Sequence, residues 1–284
     1  MNLENFMINL KDKILSRYKK DKNGIYFYQI ANKLQKIEIN FRRKVAKKTY
    51  KNHIKEISKH HSIPVMDDYI NKTIKSLPKG SKILDIGGGW AWHWRNINKI
   101  RPDIKVYVVD FIYENFFHAK KIIKKNFNKN VYLINTDANK LRFENETFDL
   151  VWSVQVFQHM PDFKQSAREI KRVLKKNSKF INITFNDSLI SKIKYLLLNK
   201  KHFFEGVVPN QFFVSRNIRK YNLTLKSIFK CNPIIKYSEI LFNPELGFFF
   251  GSEKSIFGKI DSMLTSSFIL FKFIARQIHL EFTK

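Results

Sequence analysis

Five short apolar runs alternate with helix-period segments between Lys82 and Phe185, and this alternation constrains the fold more than any other feature. The runs are Lys82–Ile86 (KILDI), Lys105–Asp110 (KVYVVD), Val131–Ile134, Phe148–Val154 (FDLVWSV) and Lys179–Phe185 (KFINITF). Near-continuous apolar strands are buried on both faces, and strands joined through helices run parallel. Trp90–Ile100, Glu114–Phe127 and Asp162–Leu174 read as the intervening helices. The expected fold is α/β, Rossmann-like and doubly wound, with right-handed crossovers and a binding site at the carboxyl ends of the strands.

Around this core the pattern differs. Residues 1–62 read as a helical N-terminal extension, with Phe6, Leu10, Ile14 and Tyr18 spaced by four and a turn at Asn23-Gly24. The segment holds 16 Lys/Arg against 5 Asp/Glu, a net +11. A basic amphipathic helix of this kind either lies on an anionic membrane or packs on the body of the protein. A further helix starts at Ser62-Ile63-Pro64, with Asp67 and Asp68 expected in its first turn and Pro78-Lys79-Gly80 ending it. Beyond Asn186 the alternation blurs: a helix around Ile190–Leu197, a helix at Val214–Leu223, and strands at Ser238–Phe242 and Ser266–Ile274 are expected.

The glycines of LDIGGGWAWHW, Leu84 to Trp94, stand between the first strand and the next helix. Glycines there let a ligand approach the backbone, with a helix N-terminus behind it. Asp110 ends the next strand 21 residues after Gly89, where an acid takes the ribose hydroxyls of a nucleotide. The dinucleotide pattern G-x-G-x-x-G fails, because Trp92 holds its last place. The pair Tyr-x-x-x-Lys occurs at Tyr18/Lys22, ahead of the glycines and so in the wrong order, and no P-loop motif is present.

The order of motifs decides among nucleotide folds. ILDIGGGWA, VVD, TDA and FDLVWSVQVFQHMPD follow one another along residues 65–186. In this the sequence resembles the class I S-adenosylmethionine-dependent methyltransferases, in the branch acting on small molecules, lipids and glycans. The resemblance implies a mostly parallel seven-stranded sheet and S-adenosylmethionine as cofactor. It implies that Gly87, Gly88 and Gly89 receive the methionine part, Asp85 holds its amino group, and Asp110 binds the ribose. Phe111 or Ile112 would pack on the adenine, Asp137 and Ala138 would meet its edge, and Ser153 would lie near the methionine. Ala91 replaces the usual third glycine and still leaves room. Trp90 and Trp94 share a helix face and read either as packing against the N-terminal helices or as touching the substrate.

His159 follows the fourth strand and reads either as a general base or as a capping residue before Pro161. Ser153-Val154-Gln155-Val156 is not the Asn/Asp-Pro-Pro-Tyr/Phe of DNA and glutamine amino-methylating enzymes. The implied acceptor is a small molecule, a glycan or a lipid-linked group, covered by residues 1–62 and about 187–235, with closing strands in 236–284.

Charge supports a second acceptor class. The chain has 53 Lys+Arg and 24 Asp+Glu, a net +29 over 284 residues. Such charge suits RNA or anionic lipid, and abundant Lys, Asn, Ile and Phe are equally what an AT-rich coding sequence produces. A non-catalytic binding protein on the same fold is the third reading. A single cysteine, Cys231, leaves no intrachain disulfide and suits a reducing, cytoplasmic setting. No metal-spaced Cys/His cluster, signal peptide or spanning apolar run of about 20 residues is found.

Overall fold

The computed structural model describes residues 14–28, 36, 39–40, 43–44, 46, 62–160, 162–199, 205–208, 212–215, 217–241 and 256–284. The helical reading of the first thirteen residues and of most of 29–61, with the membrane contact expected of it, lies outside the described residues.

The central strands are β3 (Lys82–Ile86), β4 (Lys105–Asp110), β5 (Val131–Thr136), β6 (Phe148–Val154) and β7 (Leu174–Phe185). They lie side by side in parallel in the order β5-β4-β3-β6-β7. The C-terminal β11 (Gln277–Thr283) joins β7 antiparallel, and β10 (Ile234–Ser238) joins β11. These seven strands are the expected sheet.

Two more strands come from the N-terminal segment. Residues within the expected helical cap form a hairpin, β1 (Lys19–Lys20) and β2 (Tyr26–Tyr28), around the turn at Asn23-Gly24. β2 pairs with β5 in parallel, giving nine strands in all. The hairpin is held by Asp21, whose carboxylate accepts from the Asn23 and Ile25 amides and from the Tyr113 hydroxyl. Ile25 is fully buried, so local apolar content there serves the sheet rather than a helix.

Strand alternation divides the core into two layers. Leu84, Ile86, Tyr107 and Val109 face one apolar cluster, while Ile83, Val106 and Val108 face the other. The second layer is covered by α1 (Ser62–Lys75), through Val65, Met66, Ile70 and Ile74. Asp67 and Asp68 sit past the first turn of α1, not in it as expected. There they bind side chains: Asp67 accepts a two-pronged contact from Arg95, and Asp68 accepts from Ser262 and pairs with Lys72.

Several expected boundaries shift. The segment 90–100 is a 3-10 turn at Trp92–Trp94 followed by the short helix α2 (Ile97–Ile100), because Ala91 takes a left-handed backbone with φ 55°. Helix α3 (Asn115–Ile123) follows β4, and α4 (Phe163–Val173) leads into β7. After β7 come α5 (Leu189–Leu197), a hairpin of β8 (Glu205–Val208) and β9 (Phe212–Ser215), and α6 (Ile218–Phe229). The helix expected at Val214–Leu223 therefore starts later, and 212–215 is extended.

The strand expected at Ser266–Ile274 is instead a 3-10 segment at Ile269–Phe273, preceded by α7 (Ile256–Leu264). The true closing strand, QIHLEFT, alternates polar and apolar residues. Its polar members are buried by partners: Ser238 Oγ lies 2.7 Å from His279 Nε2, and Gln277 donates to Glu239.

Candidate functional site

The turn after β3 is shaped by glycines. Gly87 and Gly89 have φ of +70° and +48°, which favours glycine. A Cβ on Gly87 would stand 2.3 Å from Val156 Cγ2, and one on Gly88 would stand 2.2 Å from Asp85 Oδ2. The turn is therefore pressed against the segment after β6 on one side and against its own strand on the other.

Asp110 closes the turn from the end of β4. Its Oδ2 accepts the Gly89 amide at 2.9 Å and its Oδ1 accepts the Ile112 amide at 2.7 Å. Asn115, at the start of α3, donates to Asp110 and accepts from the Trp90 indole at 3.0 Å. At the end of β5, Asp137 Oδ1 accepts the Asn139 amide at 2.9 Å in an Asx turn.

These strand ends enclose a cavity of about 250 Å³. Of the expected site residues, Gly87, Gly89, Asp110, Phe111, Asp137, Ala138 and His159 line it, with Ile112 beside Phe111. A larger opening of about 600 Å³ lies at the opposite ends of the strands and carries none of them.

Three expected residues are not brought to the cavity wall. Gly88 turns toward Asp85. Asp85 shares the Ile83 side of β3 and is 2% exposed, with Oδ2 accepting from Trp94 Nε1 at 2.6 Å. Burial, partly offset by that hydrogen bond, pushes its carboxyl up to about 6. Ser153 is fully buried, with its hydroxyl lacking a hydrogen-bond partner. For Asp85 and Ser153 the two-residue period of the strand directs the side chain inward, so Asp85 supports the loop from beneath. Trp90 and Trp94 are buried but not on one helix face: Ala91 breaks the helix between them, Trp90 stacks on His118 at 4.4 Å, and both lie in the cluster of Val65 and Met66 of α1.

His159 ends a 3-10 turn, Phe157–His159, whose two neighbours are anchored. The Phe157 carbonyl accepts from the buried Tyr221 hydroxyl at 3.1 Å, and Gln158 accepts from Thr184 at 2.7 Å. β9 lies against this turn, so part of the expected covering segment does reach the cavity side. Gln155 precedes the turn with φ 55°, its amide donating to Ile183 O at 2.7 Å.

With this geometry, the sequence profile of a methyltransferase domain matches residues 77–230. The chain belongs to this methyltransferase-domain family. A demethylmenaquinone methyltransferase of Bacillus mycoides is 30% identical over 133 residues, 44% of this chain and 56% of that one. One of Listeria welshimeri is 33% identical over 98 residues, 34% of this chain and 42% of that one. The chain thus spans about half the length of these curated relatives. Among solved structures, a SAM-dependent methyltransferase of Thermotoga maritima, titled a possible histamine N-methyltransferase, aligns with TM-score 0.56 and 16% identity. That alignment covers 88% of this chain and 99% of the other. Phosphoethanolamine N-methyltransferase 2 of Haemonchus contortus, solved with S-adenosyl-L-methionine, aligns with TM-score 0.51 and 17% identity over 77% and 52% of the two chains. These likenesses establish the Rossmann-like fold.

The family implies S-adenosylmethionine, and the residues present fit it. The loop at Gly87 leaves no room for a side chain, Asp110 stands fixed at the cavity wall, and Phe111, Ile112 and Ala138 give it apolar surface. Asn115, Gln155, Val156, Met160 and Asp162 also line the cavity and were not singled out from sequence. Asn115 had a usable signal, a polar residue opening the helix five places after Asp110; Val156 had none. Among the described residues no group of three or more His, Cys, Asp or Glu could hold a metal ion.

Proposed function

We propose that this protein uses S-adenosylmethionine to methylate the oxygen of a small-molecule, glycan or lipid-linked acceptor. The observation that carries this reading is one cavity shared by Gly87, Gly89, Asp110, Asp137 and Ala138 with His159. The first five match the cofactor positions of the family, and the last is a titratable group on the same wall.

When bound, the cofactor would supply a methyl group on a sulfonium sulfur, which departs as a neutral thioether and is already a good leaving group, so positioning dominates the catalysis. Gly87 and Gly89 admit the amino-acid part against the backbone. Asp110 takes the ribose hydroxyls by charge-assisted hydrogen bonds. Asp137 and the Ala138 amide receive the adenine edge, and Asp85 supports the loop through its place under Gly88. His159, held by the anchored turn, accepts the hydroxyl proton of the acceptor. A small-molecule acceptor agrees with the demethylmenaquinone methyltransferases among the relatives, whose names specify one, while oxygen as the acceptor atom rests on the place of His159.

Calorimetric titration with S-adenosylmethionine and S-adenosylhomocysteine tests the reading, followed by transfer of labelled methyl to quinol, glycan and RNA acceptors. Micromolar binding with transfer to a hydroxyl of the first two classes supports it. Absent binding by folded protein overturns it, and transfer to RNA alone replaces it with the reading suggested by the +29 charge.

A further inference from the structure

Helix α5 is amphipathic in the wrong sense for packing. Leu189, Ile193, Leu196 and Leu197 fall at i, i+4, i+7 and i+8, one face of the helix, and this face points outward. Leu196 and Leu197 are 79% and 78% exposed, while the small polar Ser191 is the buried member of the helix. A second apolar run behaves the same way. Phe268, Ile269, Leu270 and Phe273 are all about half exposed or more, Ile269 at 62%.

The two runs are neighbours. Asn186, just before α5, donates through its side chain to the carbonyls of Lys272 and Ala275 and through its amide to that of Arg276. Both emerge at the carboxyl end of β7, the end of the sheet at which the cavity opens.

Charge decides what covers them. No acidic residue occurs between Asp187 and Glu205, where Lys192 and Lys194 interrupt the apolar residues of α5 and Lys200 and Lys201 follow them in the sequence. None occurs between Asp261 and Glu281, where Lys272 and Arg276 flank the phenylalanines. A second copy of a chain of net charge +29 would set lysines against lysines. No described helix is long and apolar enough to cross a membrane. Lys192 pairs with Asp187 and Arg276 with Glu239, and the apolar faces are also bordered by Lys194 and Lys272. Short apolar faces with cations beside them fit the headgroup region of an anionic bilayer.

We infer that α5 and the segment 268–273 form a surface that docks on anionic membrane, with the leucines and phenylalanines inserted among acyl chains and the lysines at the headgroups. Docking does not depend on methyl transfer. Its use, to present the cavity to a lipid-linked acceptor, rests on the proposed function.

Cosedimentation of the full chain with extruded vesicles tests the surface. Vesicles of phosphatidylcholine with a third phosphatidylglycerol should retain the protein, pure phosphatidylcholine should retain far less, and added salt should weaken retention. Leu196→Ser/Leu197→Ser and, separately, Ile269→Ser/Leu270→Ser should each lower partitioning about tenfold or more. These positions are exposed, so folding and cofactor titration should be unchanged. No retention by anionic vesicles, or equal retention of both variants and wild type, overturns the proposal. So does a chain that elutes as a dimer and becomes monomeric in the leucine variant. Failure of cofactor binding with vesicle binding intact overturns the methyltransferase reading and leaves the docking surface standing.

Discussion

The Gly89 amide donates to the Asp110 carboxylate over 2.9 Å, tying the loop after β3 to the end of β4. One carboxylate therefore holds the loop while lining the cavity, and under the proposed function it also meets the ribose. Asp110→Ala should remove an acceptor from the Gly89 and Ile112 amides, together with the ribose contact that the proposed function assigns to it. Cofactor affinity should fall by roughly 10- to 100-fold, as expected for lost charge-assisted hydrogen bonds. Titration calorimetry reads this directly, and unchanged affinity would remove Asp110 from the site.

Backbone conformation gives a matched pair of substitutions. Gly87→Ala sets a Cβ against Val156 at 2.3 Å on a backbone with φ +70°, so it should abolish cofactor binding and cost about 2 kcal/mol or more of stability. Ala91→Gly should do the reverse, because Ala91 already holds φ 55°. A gain of about 1 kcal/mol in denaturant unfolding is expected.

Asp85 should impose a pH slope of unusual sign. Its folded pKa of about 6 lies above the ordinary 3.8, chiefly through burial. Between these values the folded state binds more protons than the unfolded, so this group's contribution to stability falls as pH rises through the window. Asp85→Asn should flatten that component, about 1.4 kcal/mol per pH unit at most. Trp94→Phe removes the indole donor and should destabilise the protein more at pH 7.5 than at pH 5. Equal loss at both pH values would show that the carboxylate charge is not what the indole serves.

His279 should act oppositely. Burial, then the nearby Lys236 charge, push it down to about 3 from 6.5. Its unfolded form binds the extra proton between these values, so stability is lost as pH falls from 6.5 toward 3. His279→Gln should make acid unfolding shallower in that range, measured by circular dichroism against pH.

His159→Asn should lower the transfer rate about 10²- to 10⁴-fold for a hydroxyl acceptor and leave cofactor affinity within about twofold. Equal loss of affinity and rate would make His159 a wall residue rather than a base.

The readable parts of the site were those fixed by position along the chain. Gly87, Gly89, Asp110, Asp137 and Ala138 stand where strands end, and parallel strands bring such ends together whatever their neighbours are. Asp85 and Ser153 belong to the same motifs, yet a two-residue period turned them inward, and one-dimensional spacing carries no sign for that. At the C-terminus, SFILFKFIA looked more like a strand than QIHLEFT because apolar density outweighed alternation. The register of β11 on β7, and partners able to bury Gln277, His279 and Glu281, reversed the choice.

By itself the sequence determined the parallel α/β core, the glycine turn and the acids at the strand ends, because apolar runs, helical periods and glycine placement act locally. Tertiary structure decided which strands of the termini complete the sheet, that Trp94 and Asp85 meet under the loop, and that Val156 closes against Gly87. It also decided that the leucines of α5 face outward, a matter of which surfaces found partners when the chain closed.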